Sequence, residues 1–225
     1  MESEPSKRDE ANIRANRMAH DAIAHGEATG WFEPLYNAAH GDPEKVPWAD
    51  EKPNKWLVEW LDQQAIAGRG TAVVVGCGLG DDAEELARRG FEVTAFDVSP
   101  TAIDWAKSRF PETSVEYRAT DLFELPTMME GAFDFVFEAY TLQALPMGVR
   151  SVAVQAVASL VAPGGDLLVV CRGSESNQGL EGPPWPLTRL ELSGFRSAGL
   201  LEDSFDDFMD EVVRRWRVHY LKPAA

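Results

Sequence analysis

Thr71-Ala72-Val73-Val74-Val75-Gly76-Cys77-Gly78-Leu79-Gly80 is the stretch from which the rest of the chain can be ordered. Its first half is short, apolar and β-branched, as a strand covered on both faces of a parallel sheet must be. Its second half cannot continue a strand. Glycines at alternate positions let the backbone turn sharply and approach a ligand with no Cβ in the way. Beyond it, Ala83, Leu86 and Ala87 share one helical face, and Gly90 is placed to end that helix. Strand, glycine turn and helix in this order put a ligand at the carboxyl edge of a parallel sheet. Standing alone, the same glycines describe only a tight strand-to-helix turn.

The pattern repeats downstream. Phe91 to Asp97 reads as a second strand. Ser99-Pro100 follows as N-cap and first helical residue, with Ile103, Ala106 and Phe110 on an inner stripe. Val115-Glu116-Tyr117-Arg118 is a short third strand and Phe133-Asp134-Phe135-Val136-Phe137 a fourth. A helix from about Val149 to Val161 is stopped near Pro163-Gly164-Gly165, and Leu167 to Cys171 forms a fifth strand. Thr188-Arg189-Leu190-Glu191 is a capping box that opens another helix. Leu200 to Met209 and Val213 to Leu221 come last. In the second of these, Trp216, Val218 and Tyr220 alternate with Arg215, Arg217 and His219, which predicts an antiparallel strand with one face more solvated than the other. The expected architecture is a Rossmann-like α/β fold, a seven-stranded, mostly parallel sheet closed by an antiparallel C-terminal hairpin, with helices on both faces. The first part of the chain differs in character. A weakly amphipathic helix over Arg8 to Gly26, the aromatic run Trp31 to Tyr36, the loop Val46-Pro47-Trp48-Ala49-Asp50 and a helical face of Trp56, Leu57, Trp60 and Leu61 read as a cap. Residues 1–66 are expected to pack on a core of residues 67–225, making one domain overall.

Bulk properties narrow the function classes. A chain of 225 residues can bury the core of one α/β domain. A formal charge of −16 disfavours nucleic-acid partners, which it repels at long range. No apolar run reaches the roughly 18 residues of a membrane span, and the polar start Met1 to Arg8 has no signal-peptide core, so a cytoplasmic location is expected. Cys77 and Cys171 lie in or beside apolar strands without metal-ligand spacing, which predicts reduced, buried thiols and no metal site. His20, His25, His40 and His219 are scattered, and most are expected at the surface. No feature sets the oligomeric state.

Three acids sit where chemistry is expected. Asp97 closes the second strand about twenty residues past the first glycine, where a carboxylate can accept from both hydroxyls of an adenosine ribose. Its alternative role is a helix-capping acid beside Ser99. Asp121, in Ala119-Thr120-Asp121-Leu122, has the geometry to accept from an adenine amino group, or is a turn aspartate. Asp81 occupies the position where a dinucleotide fingerprint wants its last glycine, and an acid at that helix start opposes a pyrophosphate.

Val75 to Gly80, Asp97, Thr120-Asp121-Leu122 and Leu160-Val161-Ala162-Pro163-Gly164-Gly165 resemble, in order and spacing, the successive motifs of class I S-adenosylmethionine (SAM)-dependent methyltransferases. The match covers about residues 70 to 172. That family commonly has an acid two residues before the first glycine. Val74 holds the place here, which is similar to the thiopurine and thiol/halide methyltransferase branch. Trp31 and Val46-Pro47-Trp48-Ala49-Asp50 resemble the N-terminal tryptophan and P-W-D segment of that branch, although Ala49 separates Trp48 from Asp50 and the usual Q-G is absent. Gly182-Pro183-Pro184-Trp185 resembles its G-G-P-P segment.

The resemblance implies SAM as cofactor, S-adenosylhomocysteine (SAH) as product and a small-molecule methyl acceptor. It implies that Trp31 and Trp48 line the cofactor site and that Gly76, Cys77 and Gly78 border the methionine end. Asp97 with Val98 would hold the ribose, and Asp121 with Leu122 the adenine. Glu138 and Tyr140, just past the fourth strand, would face the transferring methyl and orient the acceptor, with Glu138 also bordering the cofactor. A phosphate-free, cationic ligand suits Asp81. Methyl transfer from a sulfonium is an in-line displacement that asks mainly for alignment and exclusion of water, so the lack of a Cys-His or Ser-His-Asp pairing is no obstacle. The expected acceptor is a thiol, a sulfide or another heteroatom nucleophile. An NAD(P)-dependent oxidoreductase and a non-catalytic SAM-binding protein are the alternatives left open by the residues.

Overall fold

A computed structural model describes residues 6–64, 70–176 and 182–224. The apolar run of residues 71–75 forms β1 (Thr71–Val75), near the middle of a seven-stranded sheet. The other strands are β2 (Glu92–Asp97), β3 (Glu116–Ala119), β4 (Phe133–Ala139), β5 (Val161–Arg172), β6 (Leu201–Asp210) and β7 (Val213–Leu221), in the order β3-β2-β1-β4-β5-β7-β6. Strands β1 to β5 pair in parallel, and β7 runs antiparallel between β5 and β6. The chain leaves β1 toward β2 on one side and reaches β4 on the other. The crevice at their carboxyl ends is therefore the topological switch point where such sheets bind ligands.

Two layers of helix cover the sheet. On one face α3 (Lys55–Gln63), α4 (Asp81–Arg88) and α5 (Pro100–Arg109) bury Leu57, Trp60, Leu86 and Ile103 against Val74, Phe135 and Leu168. On the other, α6 (Met147–Leu160), α7 (Arg189–Leu192) and α8 (Gly194–Ser197) bury Val157, Leu192 and Phe195 against Val136, Val169 and Val218. Each such aliphatic side chain removed from water contributes on the order of 1.5–3 kcal/mol. The capping box at Thr188 and Glu191 opens α7 as expected. Pro163-Gly164-Gly165 ends α6 but does not form a separate loop: β5 begins at once at Val161, and these residues take up a register shift opposite Phe133 and Phe135.

The N-terminal segment forms α1 (Lys7–Ala24) and α2 (Phe32–Ala39). Helix α1 buries Ala11, Ala15 and Ala19, spaced by four, so its weak amphipathicity reflects a ridge of small residues. Ala15 and Ala19 pack with Trp31 and Leu35 in a small cluster of their own. The expected boundary between residues 66 and 67 lies outside the described residues. Among the described residues no helix is long and apolar enough to cross a membrane.

The polar face of β7 is the more solvated of the two only by a small margin: Arg217 and His219 are each 7% exposed, against 0–1% for Trp216, Val218 and Tyr220. Helix α3 covers Arg217 and His219: the Trp60 ring lies 4.9 Å from the His219 ring, and Arg217 donates to the Trp56 carbonyl. Polar groups can be buried here because their partners come with them. Arg217 pairs with Asp206 at 2.8 Å, and His219 bridges Asp166 (2.7 Å) and Asp203 (3.1 Å).

Burial pulls the His219 pKa down, but the hydrogen bonds to Asp166 and Asp203 outweigh it, and the net shift is upward from 6.5. A raised folded pKa gives stability that is fully present below the unfolded value and lost as pH rises through the folded one. Asp166→Asn should therefore lower Tm by a few degrees at pH 6, from the loss of about 1.5–3 kcal/mol for a charged hydrogen bond, and by less at pH 9. Thermal melts of both proteins at the two pH values check this; an equal shift at both would rule out the imidazolium.

Candidate active site

The carboxyl ends of β1, β2 and β4 open onto a cavity of about 770 Å³. Its floor is the glycine turn. Gly76, Gly78 and Gly80 all have positive φ (61°, 51° and 92°), and Gly80 caps α4. A Cβ on Gly76 would overlap the Thr141 hydroxyl, which donates to the Val75 carbonyl at 3.2 Å. The turn after β1 is thus pressed against the turn after β4, at a distance only glycine allows.

Asp97, at the end of β2, ties this turn to the next. Its Oδ2 accepts from the Gly78 amide at 3.0 Å and its Oδ1 from the Ser99 amide at 2.9 Å. Burial raises its pKa to about 6 despite these two donors, with the nearby Glu33 carboxylate adding to the rise. The cap of α5 is Ser99, whose hydroxyl accepts from the Ala102 amide at 3.0 Å; Asp97 holds the turn before it and lies on the cavity wall. Val98, Asp121 and Leu122 line the same cavity. Asp121 Oδ1 accepts from the Phe123 amide at 2.9 Å, and Thr29 donates to its Oδ2 at 3.4 Å.

The cap closes over this floor. Trp31 is buried, stacked on Phe32 with ring centroids 4.1 Å apart and edge-on to Trp48 at 5.8 Å. Trp48 donates through Nε1 to the Tyr36 hydroxyl at 2.7 Å. Trp31, Phe32, Tyr36 and Trp48 all border the cavity, and the Trp31 Nε1 is buried without a hydrogen-bond partner. Cys77 also lines it, as a thiol whose pKa burial pushes well up; Cys77 and Cys171 are both free and buried. Among the described residues no group of three His, Cys, Asp or Glu could hold a metal ion.

Two expected residues part company at the end of β4. Tyr140 faces the cavity in a left-handed conformation (φ 65°) that a bulky residue adopts only under constraint. Its amide donates to the Val170 carbonyl at 3.0 Å, the Arg215 guanidinium lies over its ring at 5.1 Å, and burial raises the pKa of its hydroxyl. Glu138 does not join it. It is 0% exposed, does not line the cavity, and its Oε1 accepts from the Thr141 and Leu142 amides at 2.8 and 3.0 Å. Glu138 keeps the strand face of Val136, under α6, whereas Tyr140, which alternation would put on that same face, lies past the end of β4 where its positive φ turns it to the opposite side with Ala139. Its Oε2 has no partner, and burial raises the carboxyl pKa to about 7. Glu138 thus caps the turn after β4 and, unlike Tyr140, does not line the cavity.

Several cavity residues were not singled out from the sequence. Asp82 in the first turn of α4 accepts from the Asn54 amide at 2.6 Å, and burial raises its pKa to about 7. Arg172 and Arg215 form the far wall, with Pro183 and Pro184. The 182–185 segment is anchored by Arg150, 2% exposed, which donates to the Trp185 carbonyl at 3.0 Å and pairs with Glu191 at 2.7 Å. Asp81 is held by Arg109 through two bonds of 2.7 and 2.9 Å, so the helix start carries a neutralised acid.

Residues 40–220 match the family described as Thiopurine S-methyltransferase (TPMT). A ubiquinone biosynthesis O-methyltransferase of Dechloromonas aromatica (strain RCB) is 38% identical over 119 residues, covering 52% of this chain and 50% of that protein. A probable thiol methyltransferase 2 of Arabidopsis thaliana is 25% identical over 196 residues, covering 83% and 82%. The chain spans about half the length of the curated relatives that it matches first. Among solved structures, the N-methyltransferase NodS from Bradyrhizobium japonicum WM9 in complex with SAH superposes with a TM-score of 0.67 at 20% identity, over 84% of this chain and 98% of that one. That likeness establishes the fold.

Gly76→Ala should cost about 1–3 kcal/mol, from a non-glycine residue at positive φ and from the overlap with Thr141. Adding Thr141→Ala should return part of that loss. Urea denaturation of the two single variants and the double measures the coupling; strictly additive losses would separate the two turns.

Proposed function

Because the chain belongs to the thiopurine S-methyltransferase family, we propose that it transfers a methyl group from SAM to a small-molecule acceptor whose nucleophile is a sulfur or another heteroatom. One observation carries the reading: the glycine turn and Asp97 are bonded to each other in the floor of the cavity that Asp121 and Tyr140 also line. The residues present fit the cofactor. Asp97 offers a desolvated carboxylate to ribose hydroxyls, and Asp121 with Leu122 borders the place for adenine. The unpartnered Trp31 Nε1 is a donor in want of an acceptor at the cap. SAM, when bound, supplies an electrophilic methyl on a sulfonium. The chain's own part is to hold the reactants in line and keep water out, which the stacked Trp31 and Phe32 with Trp48 edge-on to both favour. Tyr140 is the residue placed to orient the acceptor; no group in the cavity is asked to act as a strong base.

The oxidoreductase alternative is set aside by family membership, and a protein that binds SAM without turnover is separated from an enzyme by the test below. The free, buried thiols suit a reducing compartment, and we place the chain in the cytoplasm.

Calorimetry should show micromolar binding of SAH and none of NADH, and SAH should be released from SAM only when an acceptor such as a small thiol is supplied. No heat with SAH at millimolar concentration would end the reading. Asp97→Asn should weaken SAH binding about tenfold or more, the scale of one charge-assisted hydrogen bond. Because ribose hydroxyls donate to the ionised carboxylate, affinity in the parent protein should hold at pH 8 and fall as pH drops through about 6, and the Asn variant should lack that dependence.

A further inference from the structure

We infer that the methyl acceptor carries a carboxylate or a similar small oxyanion, gripped between Arg172 and Arg215 at the β5–β7 end of the cavity. The inference rests on the methyl-transfer reading for the word acceptor, and on the following geometry for the anion.

Arg172 and Arg215 are direct cross-strand partners in the antiparallel β5–β7 pair. Their side chains therefore leave the sheet side by side on one face, and both line the cavity. Like charges opposite each other on a ladder are destabilising, and here the cost is compounded by burial. Both arginines have a buried Nε with no hydrogen-bond partner. Arg172 has no ion pair among the described residues. Burial, and then the charge of Arg215, pulls its pKa below the usual guanidinium value.

A shortage of carboxylates does not explain this. The chain holds 37 acidic residues against 21 lysines and arginines. The two buried arginines are matched, Arg217 by Asp206 and Arg150 by Glu191, and the half-buried Arg109 pairs with Asp81; Arg14, whose Nε is also unpartnered, bonds the Lys45 carbonyl instead. Asp210 and Glu211 also border the cavity; Asp210 pairs closely with Lys55 at 2.5 Å and only loosely, at 3.7 Å, with Arg215, so Arg172 is the member of the pair with no carboxylate partner among the described residues. The pair is left open toward the cavity beside Tyr140, over whose ring Arg215 lies. Guanidinium forks match a planar oxyanion through paired N–H donors, and two of them converge here. An aromatic or similarly flat acceptor would lie along Tyr140 with its acid group in this fork.

The test uses 4-mercaptobenzoate and its neutral counterpart 4-mercaptobenzamide. Binding of each is measured by calorimetry with and without SAH, and kcat/KM for methylation is measured with SAM. The parent protein should prefer the acid at least tenfold. In Arg172→Gln and in Arg215→Gln the acid-to-amide ratio should fall about tenfold or more toward one, and Arg172→Lys should recover part of it. SAH affinity in the same titrations reports that each variant is folded. Equal binding of acid and amide by the parent protein, or a parallel loss of both in the variants, would overturn the inference. If SAH fails to bind while the acid preference persists and depends on the arginines, the methyl-transfer reading fails and the anion site stands.

Discussion

The bond from the Gly78 amide to the Asp97 carboxylate, at 3.0 Å, is the constraint around which the cavity is organised. One side chain holds the turn after β1 and, through Ser99, the turn after β2, so these two neighbouring loops at the cavity floor cannot drift apart. Two amide donors would ordinarily pull a carboxyl pKa well down. Here burial wins, and Asp97 is pushed up to about 6. The carboxylate is thus under-solvated in the free chain, and additional donors aimed at it from the cavity would be stabilising. That is the physical meaning of a preformed ribose-type site: the cost of desolvation is borne at folding and recovered on binding.

The same network reaches the cap. Glu33 of α2 accepts from the Ser99 hydroxyl (2.5 Å), the Thr101 hydroxyl (2.6 Å) and the Thr101 amide (3.1 Å) at the N-terminus of α5. Burial works against its ionisation, but these bonds together hold its pKa low, and a helix N-terminus favours a carboxylate. Glu33 therefore clamps α2 onto the sheet edge and sets Trp31, Phe32 and Tyr36 above the glycine turn. Its charge in turn raises Asp97. Cap position and the readiness of Asp97 to accept a donor are coupled through Ser99, which both carboxylates touch.

What could be read in the chain, and what could not, follows the range of the forces involved. Strand, turn and helix from Thr71 to Gly90 are decided by neighbours a few residues apart, and they appear where their periodicity puts them. The antiparallel hairpin was legible from the alternation of β7, but the near-burial of its polar face was not. Alternation tells which residues share a side, and not whether α3, more than 150 residues away, will cover that side. Glu138 shows a similar gap. Its distance along the chain from the glycine turn is right for a cavity residue, yet it stays on the face of Val136 beneath α6, while Tyr140, of the same parity, reaches the cavity because its backbone turns left-handed just past the strand end. Arg172 and Arg215 were invisible as a pair because their partnership depends on the register of β5 against β7.

The cavity that results is polar in the electrostatic sense. Asp97 and Asp121 follow β2 and β3 on one side of the sheet order, and Arg172 and Arg215 lie on β5 and β7 on the other, where Asp210 and Glu211 also border the cavity. The net charge of −16 does not prevent an anion from settling between two guanidiniums, because screening at physiological salt limits distant charges to about 8–10 Å, whereas paired donors act at contact. On the proposed reading, the side of Asp97 and Asp121 suits a cationic donor and the arginine pair an anionic acceptor, so the opposite charges meet near Tyr140. Displacement between a sulfonium and an anionic nucleophile destroys charge as it proceeds. A site that strips water from both partners, while giving each a fixed counter-charge remote from the reacting atoms, keeps them bound and leaves that neutralisation free to lower the barrier.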